Sequence, residues 1–343
     1  MKKDLITVNQ NGLYCESGDF YIDPWRSVNR ALVTHGHSDH ARYGSSKYLC
    51  ADRSLHIMQS RLGRGAHIQT VVYGKTMTIN GVEVTFYPAG HVLGSAQILV
   101  SYKGERWVVS GDYNVSPNRS CDPFEPVKCD VFITESTFGL PIYNWKPEEE
   151  ISAEINAWWR INAFENRACI LYGYSLGKAQ RLISLLDPTI GKIITHPGVE
   201  ALNNAYRLTG VDLPLTIPLN EIKDKKGFEG AIIIAPPGAE GSSLEKRAGE
   251  SETAFASGWM QVRGNRRRLN SDRGFVLSDH SDWKGLISAI QQTGASRVLV
   301  THGFVNTFVR WLNENGFNAA PLETMYSGDA GDDDTAGTGE EQG

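Results

Sequence analysis

The first third of the chain alternates short apolar runs with polar or glycine-rich turns, a pattern typical of β-strands joined by loops. The clearest case is Asn80-Gly81, which lies between the apolar runs 77–79 and 82–86. Both residues of a tight two-residue turn need a positive φ, which asparagine and glycine tolerate, so this pair predicts a β-hairpin. Other apolar runs predict strands that lead into loops, and they end at Asp23, Val33, Val100, Ser110 and Thr134.

From about residue 147 the apolar positions take helical spacing. Pro147 is followed by three glutamates, and this combination predicts a helix start. Proline lacks an N–H that the first helical turn cannot use, and acidic side chains interact favourably with the helix N-terminus. The positions that follow at intervals of three and four residues predict the core-facing side of this helix, namely Ile151, Ile155, Trp158 and Ile161.

The next part of the chain alternates short apolar runs with helical patterns, which predicts a parallel sheet with connecting helices. The predicted strands and helices in this part are 168–172, 178–186, 192–195, 199–208 and 231–234. Two later apolar runs predict strands that end in polar clusters, at 274–278 and 297–301. The whole order predicts an α/β fold.

The composition is that of a folded protein, with 41% apolar and 21% charged residues in a chain of 343. These values exclude collagen-like, coiled-coil and fully disordered chains. No apolar run approaches the roughly 18 to 20 residues of a membrane span, and no signal-like run follows the basic start. We therefore expect a cytoplasmic protein that does not act at a membrane.

The formal net charge of −5 is unevenly distributed. The segment 327–343 carries six acidic residues, no basic residue and no apolar side chain larger than alanine, which leaves the rest of the chain at +1. Such a segment cannot bury enough apolar surface to offset the entropy lost on ordering. It predicts a disordered acidic tail.

The segment 35–40, His-Gly-His-Ser-Asp-His, holds three of the nine histidines and follows a predicted strand directly. Imidazole and carboxylate groups are ligands that suit zinc or manganese, and the i, i+2 spacing lets two side chains converge from one loop. His91, Asp112 and His302 each stand beside a glycine at the end of a predicted strand, so they are further candidate ligands. The sequence therefore predicts a metal site.

This series, HxHxDH followed by a lone His, a Gly-Asp and a C-terminal His, resembles the metallo-β-lactamase fold. In that fold two β-sheets pack face to face with helices outside, and the resemblance implies two divalent ions at one edge. It also implies that Asp23 orients the cluster from outside the ligand set. The implied ligands are His35, His37 and His91 for the first ion, Asp39, His40 and His302 for the second, and Asp112 as the bridge.

Three further motifs are similar to elements of the β-CASP nucleases. They are Thr-Glu-Ser-Thr-Phe-Gly at 134–139, Leu-Ser-Asp-His-Ser-Asp at 277–282 and the turn Tyr-Ser-Leu-Gly-Lys-Ala-Gln at 174–180. The resemblance covers nearly all of 12–326 and is strongest to the bacterial ligase-associated DNA exonucleases, which are relatives of Artemis and the cross-link repair nucleases.

The resemblance implies an αββα sandwich with an inserted α/β cap domain. The expected boundaries are 1–149 for the first part of the sandwich, 150–272 for the cap, 273–326 for the second part and 327–343 for the tail. The expected catalytic residues are Asp39, Glu135 and His280. His280 is the candidate acid for the leaving group and Glu135 the group that orients it. A purely structural role for His280 is the alternative.

Candidate contacts to nucleic acid come from two segments. Ser175, Gly177 and Lys178 lie in a turn between a predicted strand and helix, where backbone N–H groups favour phosphate, although a purely structural turn explains the pattern as well. Trp259 is a candidate for base stacking or for the core. An arginine cluster follows it and predicts contacts to the phosphate backbone, with a solvated loop as the alternative: Arg263, Arg266, Arg267, Arg268 and Arg273.

The leading hypothesis is a two-metal phosphodiesterase that degrades single-stranded DNA from its 5′ end in repair, and the resemblance implies association with a DNA ligase and a helicase. An RNA processing nuclease is the alternative, because His302 stands where the Artemis branch typically has an aliphatic residue. A small-molecule hydrolase of the thioester or glyoxalase type would leave Glu135, His280 and the cap unexplained. A binder without catalysis would leave the complete ligand set unexplained.

Overall fold

The computed structural model describes residues 3–262 and 272–326. Most of the arginine cluster and the acidic tail therefore lie outside the described residues. The described part contains three β-sheets and their connecting helices, which makes it a mixed α/β protein. Among these residues, no helix is both long and apolar enough to cross a bilayer.

The first sheet has six strands that lie side by side in chain order. Its strands β1 to β3 pair antiparallel, and β3 to β6 pair parallel. Helix α1, Leu55–Leu62, connects the last two strands. The strands are β1 Thr7–Asn9, β2 Gly12–Cys15, β3 Phe20–Ile22, β4 Arg30–Leu32, β5 Lys47–Ala51 and β6 Ile68–Val71.

The second sheet has seven strands, of which the last two come from the C-terminal part of the chain. In chain order they are β7 Thr76–Ile79, β8 Val82–Pro88, β9 Ala96–Tyr102, β10 Glu105–Val109, β11 Val131–Ser136, β18 Arg297–Gly303 and β19 Ala319–Pro321. Their spatial order is β19-β18-β11-β10-β9-β8-β7. The predicted hairpin is confirmed, since β7 and β8 pair antiparallel around Asn80 and Gly81, with φ of 48° and 81°.

The third sheet lies between β11 and β18 in the chain, and all its strand pairs are parallel. Its spatial order is β14-β13-β15-β12-β16-β17. The predicted parallel sheet is thus confirmed. The strands are β12 Ala168–Tyr172, β13 Ile193–Thr195, β14 Ile217–Pro218, β15 Ile232–Ala235, β16 Ser251–Ala256 and β17 Arg273–Phe275.

Four helices accompany the third sheet and two cover the second. They are α2 Glu148–Phe164, α3 Lys178–Leu185, α4 Pro197–Leu208, α5 Ser243–Ala248, α6 Trp283–Thr293 and α7 Val305–Glu314. The predicted strand over 274–278 ends early, at Phe275, so the residues after it form a loop that reaches the candidate site.

The first two sheets pack against each other through a shared apolar core. Phe20 and Leu32 of the first sheet belong to the same buried cluster as Phe86 and Trp107 of the second. Helices α6 and α7 cover the outer face of the second sheet, and α1 covers the outer face of the first. The order of layers is therefore helix, sheet, sheet, helix.

Helix α2 begins after Pro147 as predicted, but one predicted core position is wrong. Ile161 is 58% exposed, while Trp159 is fully buried with Ile151 and Ile155. At about 100° per residue, Ile161 lies roughly a quarter turn from the centre of the buried side. The prediction took Ile161 as the core position after Trp158, but the buried side of the helix is centred between Trp158 and Trp159.

Candidate metal centre and active site

The candidate ligands meet at one edge of the two packed sheets. The loop after β4 carries residues 35–40, and the loops after β8 and β10 carry His91 and Asp112. His302 lies near the end of β18, which pairs with β11. His35, His91 and Asp112 are at most 3% exposed, so the cluster lies inside the protein.

One group consists of His35, His37, His91 and Asp112, which each place a ligand atom within 4.8 Å of the others. His37 Nδ1 lies 3.1 Å from His91 Nε2, and His35 Nε2 lies 3.5 Å from Asp112 Oδ2. Within the described residues, His35 Nε2 is buried without a hydrogen-bond partner. Burying a ring nitrogen without a partner costs free energy. A divalent cation among the three imidazoles and the carboxylate would provide that partner.

A second group surrounds the other side of Asp112. His302 Nε2 lies 3.0 Å from Asp112 Oδ1, and His40 Nε2 lies 3.7 Å from Asp112 Oδ2 and 3.6 Å from Asp39 Oδ2. In the part of the chain that the structure covers, His40 Nε2, His302 Nε2 and Asp112 Oδ1 are buried without a well-formed hydrogen bond. The residues present therefore fit divalent cations on both sides of Asp112.

Asp23 contacts the cluster from outside. Its carboxylate lies 2.8 Å from His40 Nδ1 and accepts a hydrogen bond from the backbone N–H of Thr34 at 2.7 Å. The Thr34 hydroxyl in turn lies 3.0 Å from His35 Nδ1. Contacts of this kind fix which nitrogen of an imidazole faces a metal, and Asp23 makes one directly with His40 and one with His35 through Thr34.

Burial and charge divide the histidines into two kinds. Burial lowers the pKa of His35 well below its usual value and that of His91 to about 3, so both are neutral and can act as ligands. Burial alone would also lower the pKa of His40, but the carboxylates of Asp39, Asp112 and Asp23 outweigh it and raise the pKa to about 10. Asp112 likewise raises the pKa of His302 against the effect of burial. The second group thus gathers enough negative charge to attract cations.

His280 and Glu135 form a buried pair beside the ligands. His280 Nδ1 lies 2.9 and 2.8 Å from the two carboxylate oxygens of Glu135, which also accepts a hydrogen bond from the N–H of Tyr113 at 2.8 Å. Asp112, Glu135 and His280 place one atom each within 4.8 Å of one another. The pair therefore fixes the imidazole next to the shared carboxylate of the cluster.

Tyr326 is a site residue that sequence reasoning missed. Its hydroxyl donates a hydrogen bond to the backbone carbonyl of Asp23 at 3.1 Å, and its ring packs against the imidazoles of His40 and His302. It lies beside the predicted tail and outside every motif. Asp279 was also missed, although it lies within the motif that contains His280.

The turn predicted to bind phosphate is filled by contacts within the protein. Lys178 Nζ lies 2.9 Å from Asp279 Oδ2, and the lysine side chain is 2% exposed. Gly177 has a φ of 85°, and a Cβ there would lie 2.3 Å from Val92 Cγ1. Ser175 is 3% exposed. This corrects the expectation of an open phosphate site, because the lysine charge is paired and the glycine permits a close approach of two loops.

Trp259 is half-buried in an aromatic cluster. Its ring centroid lies 4.8 Å from that of Phe138, which itself lies 6.1 Å from the ring of His280. Of the arginine cluster, Arg273 is described and exposed, at the start of β17. The other predicted phosphate contacts, Arg263, Arg266, Arg267 and Arg268, lie outside the described residues.

Comparison with known proteins finds relatives that include described endoribonucleases. No family model matches it. It is 30% identical over 312 residues to a probable DNA ligase of Opitutus terrae, covering 90% of this chain and 30% of the relative. It is 33% identical over 368 residues to cleavage and polyadenylation specificity factor subunit 3 of Dictyostelium discoideum, covering 90% of this chain and 47% of the relative. The chain thus spans less than half the length of either relative.

A third relative is the endoribonuclease YSH1 of Yarrowia lipolytica, 34% identical over 170 residues, which are 49% of this chain and 20% of the relative. A crystal structure of a protein of unknown function from Enterococcus faecalis matches with a TM-score of 0.60 and 12% identity, over 85% of this chain and 78% of that one. That match concerns the fold alone. The chain is thus similar to proteins described as a probable DNA ligase, a subunit of the cleavage and polyadenylation specificity factor and an endoribonuclease.

Proposed function

We propose that the chain is a metal-dependent nuclease that hydrolyses phosphodiester bonds. Residues 1–149 and 273–326 are proposed to form the metallo-β-lactamase sandwich, and 150–272 the β-CASP cap. One observation carries the proposal: buried imidazole nitrogens from distant loops converge on Asp112 without hydrogen-bond partners among the described residues, beside the His280–Glu135 pair. A ligand set of this kind is costly to bury unless it binds cations.

The proposed metal ligands are those of the two groups above, namely His35, His37, Asp39, His40, His91, Asp112 and His302. Zinc or manganese ions held there would polarise a phosphoryl oxygen and lower the pKa of a water molecule.

The protein itself would contribute a proton donor, the imidazole of His280. Glu135 faces His280 Nδ1, which makes that nitrogen the N–H donor to the carboxylate. The carboxylate thereby stabilises a protonated imidazole, whose Nε2–H can be donated to the oxygen that leaves phosphorus. Asp39 completes the second ligand group, with its Oδ2 3.6 Å from His40 Nε2.

We propose single-stranded DNA as the substrate, degraded from its 5′ end in repair. The relative from Opitutus terrae supports DNA as the substrate, because a segment similar to this chain is part of a protein described as a probable DNA ligase. The same match supports a functional association with a ligase, and a helicase remains a proposal from resemblance alone. The arginines at 263–268 are the proposed contacts to the phosphate backbone.

RNA processing is the second candidate, and two observations favour it. Several relatives are described as endoribonucleases, and His302 Nε2 lies 3.0 Å from Asp112 Oδ1, where it would act as a ligand. The chemistry attacks phosphorus and needs no 2′-hydroxyl, so His302 can complete the ligand set whichever sugar is bound. Discrimination between the two sugars would have to come from the cap.

Digestion of end-labelled DNA and RNA of matched sequence tests the proposal. Each substrate carries either a 5′-phosphate or a 5′-hydroxyl, and a circular single-stranded DNA distinguishes exonuclease from endonuclease action. We expect linear DNA to shorten from its 5′ end with added zinc or manganese and the circle to persist. His37→Ala serves as the inactive control. Faster digestion of RNA, or equal cleavage of the circle, would favour the RNA processing candidate, and hydrolysis of a thioester instead of bis-p-nitrophenyl phosphate would refute both.

A further inference from the structure

Two backbone carbonyls hold the rings of His37 and His91 on the side away from the candidate metal. His37 Nε2 lies 3.3 Å from the carbonyl oxygen of Leu176, and His91 Nδ1 lies 2.9 Å from that of Asp279. A carbonyl oxygen only accepts, so each of these ring nitrogens is the N–H donor. The lone pairs are then on His37 Nδ1 and His91 Nε2, the two atoms that lie 3.1 Å apart.

The segments that supply these carbonyls belong to neither of the ligand loops. Leu176 lies in the turn between β12 and α3, and Asp279 lies in the loop between β17 and α6. Both segments therefore follow strands of the third sheet, whereas His37 and His91 follow strands of the first two sheets. The third sheet thus determines which nitrogen these two ligands present.

An ion pair joins the two carbonyl-bearing segments. Lys178, two residues after Leu176, lies with its Nζ 2.9 Å from Asp279 Oδ2, and the two side chains are 2% and 7% exposed. Gly177 lets the same turn lie against Val92, the residue after His91, because any Cβ at this position would clash with Val92. The turn, the loop and the ligand are therefore in direct mutual contact.

Arg181 extends this pair, and Glu148 balances the positive charge that Arg181 adds. Its Nη1 donates a hydrogen bond to the carbonyl of Ser278 at 2.6 Å and lies 3.5 Å from Asp279 Oδ1. Its Nε donates to Glu148 Oε2 at 2.8 Å. Two cations thus face two carboxylates in a buried network. Such networks add little net stability compared with apolar packing, but they fix geometry, and loss of one member leaves a buried charge uncompensated.

We propose that Lys178 and Asp279 are positioning residues of the first metal site. Their ion pair holds the carbonyls of Leu176 and Asp279 where these orient His37 and His91, so the docking of the third sheet sets the affinity for the first ion. This inference rests on the proposed metal centre. It gives the cap a role in metal binding as well as any role in substrate binding.

Titration of Zn²⁺ into metal-free full-length protein tests the inference, with affinity read by competition against a chromophoric chelator. The titration is repeated in His302→Ala, in which the first site is read without the second. Lys178→Met and Asp279→Asn are each expected to lower the affinity for the first ion roughly 10- to 100-fold. This is the usual effect of losing a residue that hydrogen-bonds a metal ligand from outside. The double variant is expected to lower this affinity no further than the single variant with the larger effect, because both changes break the same ion pair.

The absorption spectrum of the Co²⁺-loaded protein provides a readout that general destabilisation would not move. We expect Asp279→Asn to alter the bands, since the isosteric amide keeps the fold but releases the Lys178 contact. The matched control is Glu200→Gln, which breaks another ion pair of the third-sheet region, Arg207–Glu200 at 2.9 Å. The control is expected to bind Zn²⁺ like the wild type.

The outcomes separate this inference from the proposed function. Absence of metal binding by the wild type would refute the metal centre itself. Wild-type affinity and an unchanged Co²⁺ spectrum in Asp279→Asn would overturn the positioning role and leave the metal centre intact. Equal weakening by Glu200→Gln would attribute the effect to loosening of the whole region, which also overturns it. If Lys178→Met fails to fold by circular dichroism, Asp279→Asn decides the matter.

Discussion

The ring of Tyr326 lies flat on the imidazole of His40, with ring centroids 4.5 Å apart and an angle of 11° between the planes. The Tyr326 hydroxyl donates to the carbonyl oxygen of Asp23, and the Asp23 carboxylate contacts His40 Nδ1. Burial and the carboxylates of Asp23, Asp39 and Asp112 raise the pKa of Tyr326 well above its usual value, so the phenol stays a donor. Tyr326 therefore holds the His40–Asp23 pair from two sides.

Tyr326→Leu is expected to lower the affinity for the second metal ion roughly 10- to 100-fold, because the His40 ring loses the aromatic ring that packs against it. Tyr326→Phe keeps the stacked ring and should retain most of the affinity. The measurement is Zn²⁺ stoichiometry by elemental analysis after dialysis at low metal concentration. Met325→Ala, at a neighbouring side chain that is 60% exposed, is the control. Two tightly bound ions in Tyr326→Leu would contradict the role of the ring.

His37→Ala is expected to lose the first ion and the phosphodiesterase activity together, because the substitution removes one of four groups around that ion. Metal content per chain and hydrolysis of bis-p-nitrophenyl phosphate are measured on the same preparation. His67→Ala, an exposed histidine outside the cluster, is the matched control. An active preparation of the variant without bound metal would show that the site is misassigned.

His280→Ala is expected to retain both ions while turnover falls by about 10² to 10⁴, the range for a lost general acid. Glu135→Gln should show a smaller loss, since the amide can still hold the ring but stabilises its protonated form less. Turnover is compared with metal content for each variant. If His280→Ala loses an ion, His280 is a ligand, and if its turnover is unchanged, His280 is structural.

Replacing Arg266, Arg267 and Arg268 together by glutamine is expected to weaken nucleic-acid binding and to flatten its dependence on salt. Each lost phosphate contact should reduce the slope by about 0.7 to 0.9. Binding of a labelled single strand is measured across a range of salt concentrations. Three exposed cations elsewhere, Lys103, Arg160 and Arg310, are the control set. An unaltered slope would favour a solvated loop.

Ile155→Ala is expected to lower the free energy of unfolding by about 2–5 kcal/mol, because Ile155 is fully buried between α2 and the third sheet. Ile161→Ala on the same helix should change it by no more than about 0.5 kcal/mol, since that side chain is 58% exposed. Chemical denaturation followed by tryptophan fluorescence measures both. Equal losses would mean that the buried side of α2 is misassigned.

The local sequence pattern predicted the structure correctly where that structure depends on residues that are neighbours in the chain. The strand at 168–172 has the predicted bounds, and the hairpin at Asn80-Gly81 follows from the φ that its two residues require. The start of α2 follows from Pro147 and the acids after it. The candidate ligands were found because histidine is rare and its spacing in 35–40 is dense.

The wrong or missing predictions concern side chains whose surroundings come from segments distant in the chain. The sequence shows Lys178 beside two turn residues, but it does not show that Asp279 lies against it in the folded chain. The exposure of Ile161 depends on how much of α2 the sheet covers. Tyr326 follows no motif, because its role comes from where the end of β19 directs the chain. In each case the missing information is which distant segment covers the side chain.

The placement of β18 has a consequence for synthesis of the protein. This strand lies inside the second sheet, between β11 and β19, and it carries His302 to the shared carboxylate. A ribosome must therefore translate the whole third sheet before it makes the strand that brings His302 to Asp112. A chain that ends before β18 lacks His302, so its set of candidate ligands is incomplete. The order of translation thus delays assembly of the candidate metal site until β18 has been made.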